Sequence, residues 1–250
     1  MKIKFLGTSH GVPERDRRCT SVLFEAGGKH YLIDAGAPIA DELTRAGVPF
    51  ADISAIFLTH LHGDHINGLV HFIDLSNWFY KDSDPLIFTP SLDLKTALEA
   101  WETMLTGGPG KAFRYTEITA GEIYADEAIR VVAFPTQHHV VDRDSFKRRS
   151  YAFAVTEIAT GKRVLFTGDL RPDMCDMPED AFTVGYDCII TEAAHGYLDK
   201  LAPRLAQCKT KQMIISHIYH RTNPTERVET LRAALDEPMT VAEDGQEFEI

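Results

Sequence analysis

Cysteine is scarce in this 250-residue chain, and its four cysteines are widely spaced without a CxxC pair. A thiolate zinc site and a disulfide framework both need clustered cysteines, so neither is expected. Such a chain suits a reducing compartment, and we expect a cytoplasmic protein. The four residues are Cys19, Cys175, Cys188 and Cys208.

Long apolar runs are absent as well. No uninterrupted stretch comes near the roughly 20 apolar residues that a helix needs to span a bilayer, so no membrane partner is expected. The N-terminal MKIKFLG is a short strand-like run. It lacks the long apolar core and the small-residue cleavage site of a signal peptide, so none is predicted.

An excess of positive charge is also missing. The chain has 26 lysines and arginines against 37 aspartates and glutamates, a formal net charge of −11. A broad surface for nucleic acid needs clustered lysine and arginine, so a large structured RNA is not expected as a partner. Two local basic clusters remain, PERDRR at 13–18 and DRDSFKRR at 142–149, and a solvated loop is the default interpretation of each.

The composition that is present, 44% hydrophobic and 25% charged, is typical of a globular protein with a buried core. Strands and helices alternate without an internal repeat or a low-complexity linker. We therefore predict one α/β domain over residues 1–250, with two sheets between helices. The predicted strands are 2–6, 21–26, 29–36, 55–58, 129–134, 151–156, 163–168, 187–191 and 212–217, and the predicted helices are 38–45, 66–79, 91–105 and 223–235.

The densest group of titratable side chains is THLHGDH, which follows an apolar strand. His60 and His62 lie two positions apart on an extended segment and point the same way. Gly63 permits a sharp change of direction, which lets Asp64 and His65 turn back toward the same point. Imidazole and carboxylate groups suit zinc, iron or manganese, so the pattern predicts two side chains for each of two adjacent ions. The alternative is a polar turn in which Asp64 caps a helix.

Three more strands end in residues of the same kind. FPTQHH ends at His138 or His139, VLFTGD at Asp169 and MIISH at His217. Each alone is more often a turn residue than a ligand. Because strand ends form a cleft at the edge of an α/β sheet, together with the histidine cluster they indicate a two-metal site.

These motifs resemble the metallo-β-lactamase superfamily of dinuclear metal hydrolases, whose HxHxDH motif is complete here. Within it, the chain is most similar to ribonuclease Z and its phosphodiesterase relatives. The matching stretches are FLGTSHGVPERDRRCTS, THLHGDHINGL, VLFTGDLRP and TEAAH. The resemblance implies the metallo-β-lactamase fold, a four-layer αβ/βα sandwich of two mixed sheets flanked by helices. It also suggests a homodimer.

The resemblance implies a ligand set for two divalent ions, with zinc expected first and manganese or iron as alternatives. His138 is preferred over His139 because FPTQH matches the family's placement of a histidine after a strand. In this scheme His60, His62 and His138 bind one metal, Asp64, His65 and His217 bind the second, and Asp169 bridges the pair. Asp64 also orients the attacking water or takes its proton, and Asp34 in LIDAG supports a ligand from behind. A plain turn carboxylate is the alternative for Asp34.

The acid that protonates the leaving group is less clearly marked. TEAAH corresponds to the HEAT stretch of ribonuclease Z, whose glutamate assists the acid. Glu192 stands at the position of that glutamate. The family's acid histidine lies in an HST-like segment that this sequence lacks. His195 is predicted to fill the role from a different position, and His220 is the other candidate. A surface histidine is the alternative for either.

The resemblance also bears on the substrate. PERDRR matches the basic loop near the ribonuclease Z active site, so Arg15 and Arg17 are predicted to bind substrate together with His220, whereas Arg18 departs from the usual asparagine. The long Gly/Pro-rich arm that grips tRNA is reduced to TGGPGK at 106–111. We therefore predict a phosphodiesterase for a cyclic nucleotide, a cyclic phosphate or a short oligonucleotide. The alternatives are a carboxyl-ester, lactone or thioester hydrolase, a true tRNA 3′-processing endonuclease, and a non-catalytic metal or ligand sensor.

Overall fold

The computed structural model of the protein describes residues 1–12, 14–138, 149–218, 224–236 and 238–250. Fourteen strands occur within these ranges, and they form two sheets of seven. In chain order they are β1 (Lys2–Gly7), β2 (Ser21–Ala26), β3 (Lys29–Ile33), β4 (Ile53–Phe57), β5 (Leu86–Thr89), β6 (Arg114–Glu117), β7 (Gly121–Ala125), β8 (Ile129–Thr136), β9 (Ser150–Glu157), β10 (Arg163–Phe166), β11 (Cys188–Glu192), β12 (Met213–Ser216), β13 (Met239–Val241) and β14 (Glu247–Glu249).

Both sheets are mixed, and each has an antiparallel half and a parallel half. The first has the order β14-β1-β2-β3-β4-β5-β6, antiparallel as far as β3 and parallel from there. The second has the order β13-β12-β11-β10-β9-β8-β7, antiparallel from β7 to β10 and parallel from β10 to β13. Parallel neighbours end on the same side of a sheet, so the polar residues that follow them are collected at one edge.

Helices cover the outer face of each sheet. The first sheet carries α1 (Ile39–Ala46), α2 (Gly63–Trp78) and α3 (Asp93–Thr106), with a 3-10 turn at Phe50–Asp52. The second carries α4 (Asp180–Thr183), α5 (Leu198–Leu205) and α6 (Pro224–Ala234). Among the described residues, no helix has the length and apolar character needed to cross a membrane.

Alternate residues of the central strands pack on opposite faces of their sheet, either between the two sheets or against the helices. In β10, Val164 and Phe166 pack between the two sheets, whereas Leu165 packs against the helices of the second sheet. In β4, Phe57 packs between the sheets and Ile56 packs against the helices of the first sheet. These strands are buried on both faces, which is why their sequences are apolar without alternation. The layers are therefore helix, sheet, sheet and helix, and the predicted fold is confirmed.

The structure differs from the prediction in local detail. Helix α2 begins at Gly63 rather than at residue 66, so Asp64 and His65 lie in its first turn and not on a returning loop. Several short strands, among them β5, β6 and β7, were not predicted, because four or five residues carry little periodic signal. The assignment of residues 1–250 to one domain stays a prediction.

Candidate active site

The seven side chains predicted as metal ligands meet at one edge of the sandwich, in two adjacent groups. They follow β4 (His60 and His62), lie in the first turn of α2 (Asp64 and His65), and follow β8, β10 and β12 (His138, Asp169 and His217). The three strand ends of the second sheet thus face the strand end and the helix start of the first. This convergence requires the two sheets to pack against each other.

A close backbone contact at Gly36 holds the start of α2 against the end of β3. A Cβ atom at Gly36 would lie only 2.2 Å from the carbonyl oxygen of Asp64, so no larger residue fits there. The Ala35 N–H donates to the His65 carbonyl at 2.7 Å. Asp34 has φ 60°, a left-handed conformation that is uncommon for a residue with a Cβ. The turn in LIDAG therefore places the Asp34 carboxylate directly behind the ligands of α2.

The first cluster consists of His60, His62, His138 and Asp169. His62 Nδ1 lies 3.0 Å from His60 Nε2 and 3.3 Å from His138 Nε2. Asp169 Oδ2 is 3.6 Å from the Nε2 atoms of both His60 and His138. Two nitrogen ligands of one tetrahedral zinc ion, each about 2.0–2.1 Å from the metal, lie about 3.3 Å apart. The spacing of these atoms fits a single divalent ion.

The second cluster consists of Asp64, His65 and His217. His65 Nε2 and His217 Nε2 are 3.3 Å apart, and Asp64 Oδ2 lies 3.2 Å from His217 Nε2 and 3.4 Å from His65 Nε2. Asp169 borders this group too, with Oδ1 at 3.6 Å from His217 Nε2 and Oδ2 at 3.6 Å from His65 Nε2. The Asp169 carboxylate thus lies between two groups that could each hold an ion.

Hydrogen bonds on the outer side of three imidazoles set their orientation. His65 Nδ1 donates to Asp34 Oδ2 at 2.8 Å, and His138 Nδ1 donates to the Leu170 carbonyl at 3.3 Å. Thr59 Oγ1 lies 3.0 Å from His60 Nδ1 and donates to Asp34 Oδ2 at 2.9 Å. With Nδ1 engaged outward, each ring presents Nε2 to its cluster, as is usual for histidines that bind metals. Asp34 supports both clusters, directly through His65 and through Thr59 for His60.

The electrostatics of the site favour a cation. Burial lowers the pKa of His60 well below its usual range, which keeps the ring neutral. Burial alone would raise the pKa of Asp169, but His217, His65 and His60 outweigh it and hold that pKa well below the usual range. His217 and His65 also lower the pKa of Asp64 against the effect of burial. Neutral imidazole and ionised carboxylate are the forms that bind divalent metals.

His195 and Glu192 form a pair beside the two clusters. Glu192 is buried, and its Oε2 accepts hydrogen bonds from His195 Nδ1 at 3.1 Å and from the backbone N–H of Ala194 and His195 at 2.8 Å. The His195 ring lies 4.6 Å from that of His138 and 5.5 Å from that of His217, between centroids. Burial lowers the pKa of His195, but the Glu192 carboxylate outweighs it and raises the pKa to about 9. The structure therefore brings the predicted acid and its partner to the metal-type clusters.

The chain matches a known protein family along nearly its whole length. The profile of the family described as Anti-Pycsar protein Apyc1 matches residues 1–247. The chain belongs to this family. Ribonuclease Z from Haloarcula marismortui is 26% identical to it over 303 aligned positions, which cover 99% of this chain and 96% of the relative.

Solved structures identify the fold of this Apyc1-family protein. The metallo-beta-lactamase fold protein YhfI from Bacillus subtilis has a TM-score of 0.75 at 17% identity, covering 99% of this chain and 98% of YhfI. The short form of human tRNase Z has a TM-score of 0.74 at 22% identity, covering 100% of this chain and 99% of that one. The protein is a hydrolase of the metallo-β-lactamase fold, similar to ribonuclease Z, as predicted.

Two of the predicted substrate contacts have other partners in this Apyc1-family chain. The Arg15 side chain is 94% exposed, and its partner is Asp16 at 3.9 Å. Arg17 Nη1 donates to Thr8 Oγ1 at 2.6 Å and to the Ala242 carbonyl at 3.1 Å, so its guanidinium group is directed to the C-terminal segment. Their roles in substrate binding stay predictions. His220 and the alternative ligand His139 lie outside the described residues.

Sequence reasoning missed three residues of this region. Thr59 lies directly before the HxHxDH run that begins at His60, and this position was an available signal. His10 is buried, accepts the Val12 N–H on Nδ1 at 2.9 Å, and has its ring 6.2 Å from that of His217. Asp176 is buried in the loop after β10, and no motif marked it.

Proposed function

We propose that this protein is a dinuclear metal-dependent phosphodiesterase that hydrolyses a small phosphodiester, such as a cyclic nucleotide, a cyclic phosphate or a short oligonucleotide. The observation that carries this proposal is the pair of clusters sharing Asp169, with the Glu192–His195 pair beside them. A binding protein needs ligands for a metal but has no use for a proton donor held at the same place. That combination favours catalysis over a sensor role.

The first cluster would hold one ion through His60, His62 and His138, and the second would hold another through Asp64, His65 and His217, with Asp169 shared. Zinc suits these nitrogen and oxygen donors, and manganese or iron are the alternatives. When bound, two divalent ions would lower the pKa of a water molecule and neutralise charge on a phosphoryl group. The number and the identity of the ions are part of the proposal.

Two residues of the chain would move protons. The Asp64 carboxylate, held by His217 and His65, orients the attacking water or accepts its proton. His195 keeps Nδ1 against Glu192, which leaves Nε2 to donate a proton to the departing oxygen. Glu192 also accepts the Leu170 N–H at 3.0 Å, so the carboxylate that supports the acid also holds the residue next to Asp169.

Charge and size support a small substrate. A net charge of −11 disfavours a long polyanion, which is best bound by an extended basic surface. The loop between α3 and β6 is short, so no long arm projects from it. A cytoplasmic location belongs to this proposal, and the four free cysteines support it.

Ester, lactone or thioester hydrolysis is the second candidate, and one observation favours it. Arg15 is exposed and Arg17 is bound to Thr8 and Ala242, so neither guanidinium group contacts the clusters within the described part of the chain. A carbonyl substrate needs no such cation, since the same pair of clusters would serve it.

A panel of substrates separates these functions. The metal-loaded protein is assayed on bis(p-nitrophenyl) phosphate, 2′,3′-cyclic and 3′,5′-cyclic nucleotides, a precursor tRNA, a lactone and a thioester, with zinc or manganese added. We expect turnover of the small phosphodiesters, and Asp64→Asn serves as the inactive control. Turnover of the lactone or thioester alone would select the second candidate, and efficient cleavage of the precursor tRNA would select the endonuclease.

We also propose a homodimer, for which an apolar surface at the ends of α2 and α3 provides support. Asn77 near the end of α2 donates to Glu102 of α3, so these two helices lie side by side. Large apolar side chains around this contact are 46–75% exposed, and interfaces are rich in such residues. They are Trp78, Phe79, Trp101, Met104 and Leu105. Light scattering should give twice the chain mass for the wild type and the mass of one chain for Met104→Glu.

A further inference from the structure

One buried carboxylate outside the predicted site connects two of its strand ends. Asp176 lies in the loop between β10 and α4 and is 9% exposed. Its Oδ2 accepts the backbone N–H of Gln137 at 2.8 Å, and its Oδ1 and Oδ2 accept the N–H of Arg171 at 3.1 and 3.2 Å. A carboxylate that receives backbone N–H groups away from water makes strong, directional hydrogen bonds.

The two amides belong to segments that deliver ligands of the first cluster. Gln137 immediately precedes His138, and Arg171 follows Asp169 by two residues. The same segments meet again where His138 Nδ1 donates to the Leu170 carbonyl at 3.3 Å. Asp176 lies 39 residues after Gln137 in the sequence. Because it binds both Gln137, after β8, and Arg171, after β10, its carboxylate links the ends of these two strands.

The second cluster is held by other contacts. Asp64 and His65 are neighbours in one helical turn, and the His217 N–H donates to the Thr8 carbonyl at 3.0 Å. Among the described residues, none of these three ligands is adjacent in sequence to a group that Asp176 binds. Asp169 also borders the second cluster, but the other three ligands there do not depend on Asp176. A loss of the Asp176 carboxylate should consequently disturb the first cluster more than the second.

A second link between the same segments is weaker. Arg171 Nη1 donates to Gln137 Oε1 at 3.0 Å and Nη2 donates to Asp173 Oδ2 at 2.9 Å, but these side chains are exposed to solvent. Exposed ion pairs and hydrogen bonds compete with water and contribute little to holding a geometry. The buried contact of Asp176 is the one that can set the spacing.

We propose that Asp176 is a positioning residue for the first cluster, which sets the separation of His138 and Asp169 and thereby the affinity for one of two ions. This inference rests on the proposed dinuclear site. It does not depend on the identity of the substrate or on the acid assigned to His195.

Stepwise zinc binding tests this inference without an activity assay. Metal-free wild type, Asp176→Ala and Asp176→Asn are titrated with zinc in competition with a chromophoric chelator, and elemental analysis gives the number of ions. We expect Asp176→Ala to weaken one of the two sites by about tenfold or more, and the other, which shares only Asp169, by a smaller factor. Asp176→Asn keeps an acceptor oxygen of the same size, so its loss should be smaller.

Two controls separate positioning from general damage. Asp173→Ala removes a carboxylate from the same loop that contacts only exposed groups, and it should bind both ions as the wild type does. Asp126 lies between β7 and β8 and accepts the N–H groups of Ala128 and Ile129. Asp126→Asn changes a carboxylate outside both clusters and should also leave both affinities unchanged. The visible spectrum of the cobalt-substituted protein gives a second readout, since in Asp176→Ala the first site should lose more of its tetrahedral absorption than the second.

Three outcomes would count against the inference. Two unchanged affinities in both Asp176 variants would exclude a positioning role, and equal weakening of both sites would indicate a structural role only. A wild-type protein that binds fewer than two ions would overturn the dinuclear assignment itself, and with it this inference.

Discussion

The two ends of the sheet sandwich use carboxylates that are largely shielded from water, but in different ways. At the end opposite the candidate site, Asp126 accepts hydrogen bonds from the hydroxyls of Tyr31 at 2.7 Å and Tyr124 at 2.9 Å and from Lys29 at 3.2 Å. The backbone N–H groups of Ala128 and Ile129 donate to its other oxygen at 2.8 Å each. Each of these contacts joins a hydrogen-bond donor to an oxygen of Asp126, so this carboxylate is satisfied by the protein alone.

At the site end, ring nitrogens and carboxylate oxygens converge on common points. His60, His62 and His138 bring three nitrogens together within 3.0–3.3 Å contacts, with Asp169 beside them. A metal ion stabilises such an arrangement, whereas no metal ion is needed around Asp126, which already has donors from the protein. Shielded carboxylates are therefore common to both ends, and the convergence of ligand atoms distinguishes the candidate metal centre. The predictions below test this distinction.

The largest expected effect is the loss of activity when the metal or the shared ligand Asp169 is removed. Chelation of the metal, or Asp169→Ala, should reduce phosphodiester hydrolysis to the rate measured without enzyme, because Asp169 borders both clusters. Asp126→Asn should keep its activity under folding conditions. Rates on bis(p-nitrophenyl) phosphate with restored metal provide the measurement, and full activity of Asp169→Ala would contradict a shared ligand.

The next effect concerns the proton donor. His195→Ala should lower kcat by about 10²–10⁴-fold on substrates with alkoxide leaving groups, and far less on p-nitrophenyl esters, whose leaving group needs no proton. Glu192→Gln should act in the same direction through the His195 contact at 3.1 Å. An equal loss on both kinds of substrate would remove His195 as the acid.

A smaller effect is expected for the hydroxyl that links His60 to Asp34. Thr59→Val keeps the shape of the side chain but removes this link, so metal affinity or activity should fall by about 10–100-fold. Thr59→Ser retains the hydroxyl and is the matched control. Zinc titrations of both variants measure this difference. Equal zinc affinities of Thr59→Val and Thr59→Ser would mean that the Thr59 hydroxyl does not orient the His60 ring.

The smallest effect concerns stability at the opposite end. Burial would raise the pKa of Asp126, but the N–H groups of Ile129 and Ala128 and the hydroxyl of Tyr31 outweigh it and lower the pKa to about 2. Since the folded pKa lies below that of an unfolded aspartate, near 3.9, the stabilisation is complete above that value and is lost as the pH falls toward 2. Asp126→Asn should therefore lower the free energy of unfolding by about 1–2 kcal/mol near pH 7.

Urea denaturation of the metal-free wild type and Asp126→Asn at pH 7, 4 and 2.5 measures this difference. Metal is removed so that the histidine clusters do not contribute a metal-dependent change. The gap between the two proteins should narrow as the pH falls below 4. A constant gap at all three values would show that the charge of Asp126 is not what stabilises this end.

Much of the fold was predictable because its strands carry strong local patterns. The apolar runs of β4, β10 and β12 identified buried strands, and the polar residues after them identified the edge at which they end. The short strands β5 to β7 and the start of α2 at Gly63 were not predictable in the same way. Their limits depend on contacts with neighbouring elements, such as the packing of Gly36 against Asp64.

The chain itself determined which residues could serve as ligands at the site, because side-chain direction follows backbone period over short distances. His60 and His62 share a face by their spacing, and Asp64 and His65 follow at a glycine. Only the tertiary structure decided that Arg17 turns to Ala242 and that Asp176 holds Gln137. Contacts between segments that far apart arise when two sheets pack, and they leave no periodic trace in the sequence.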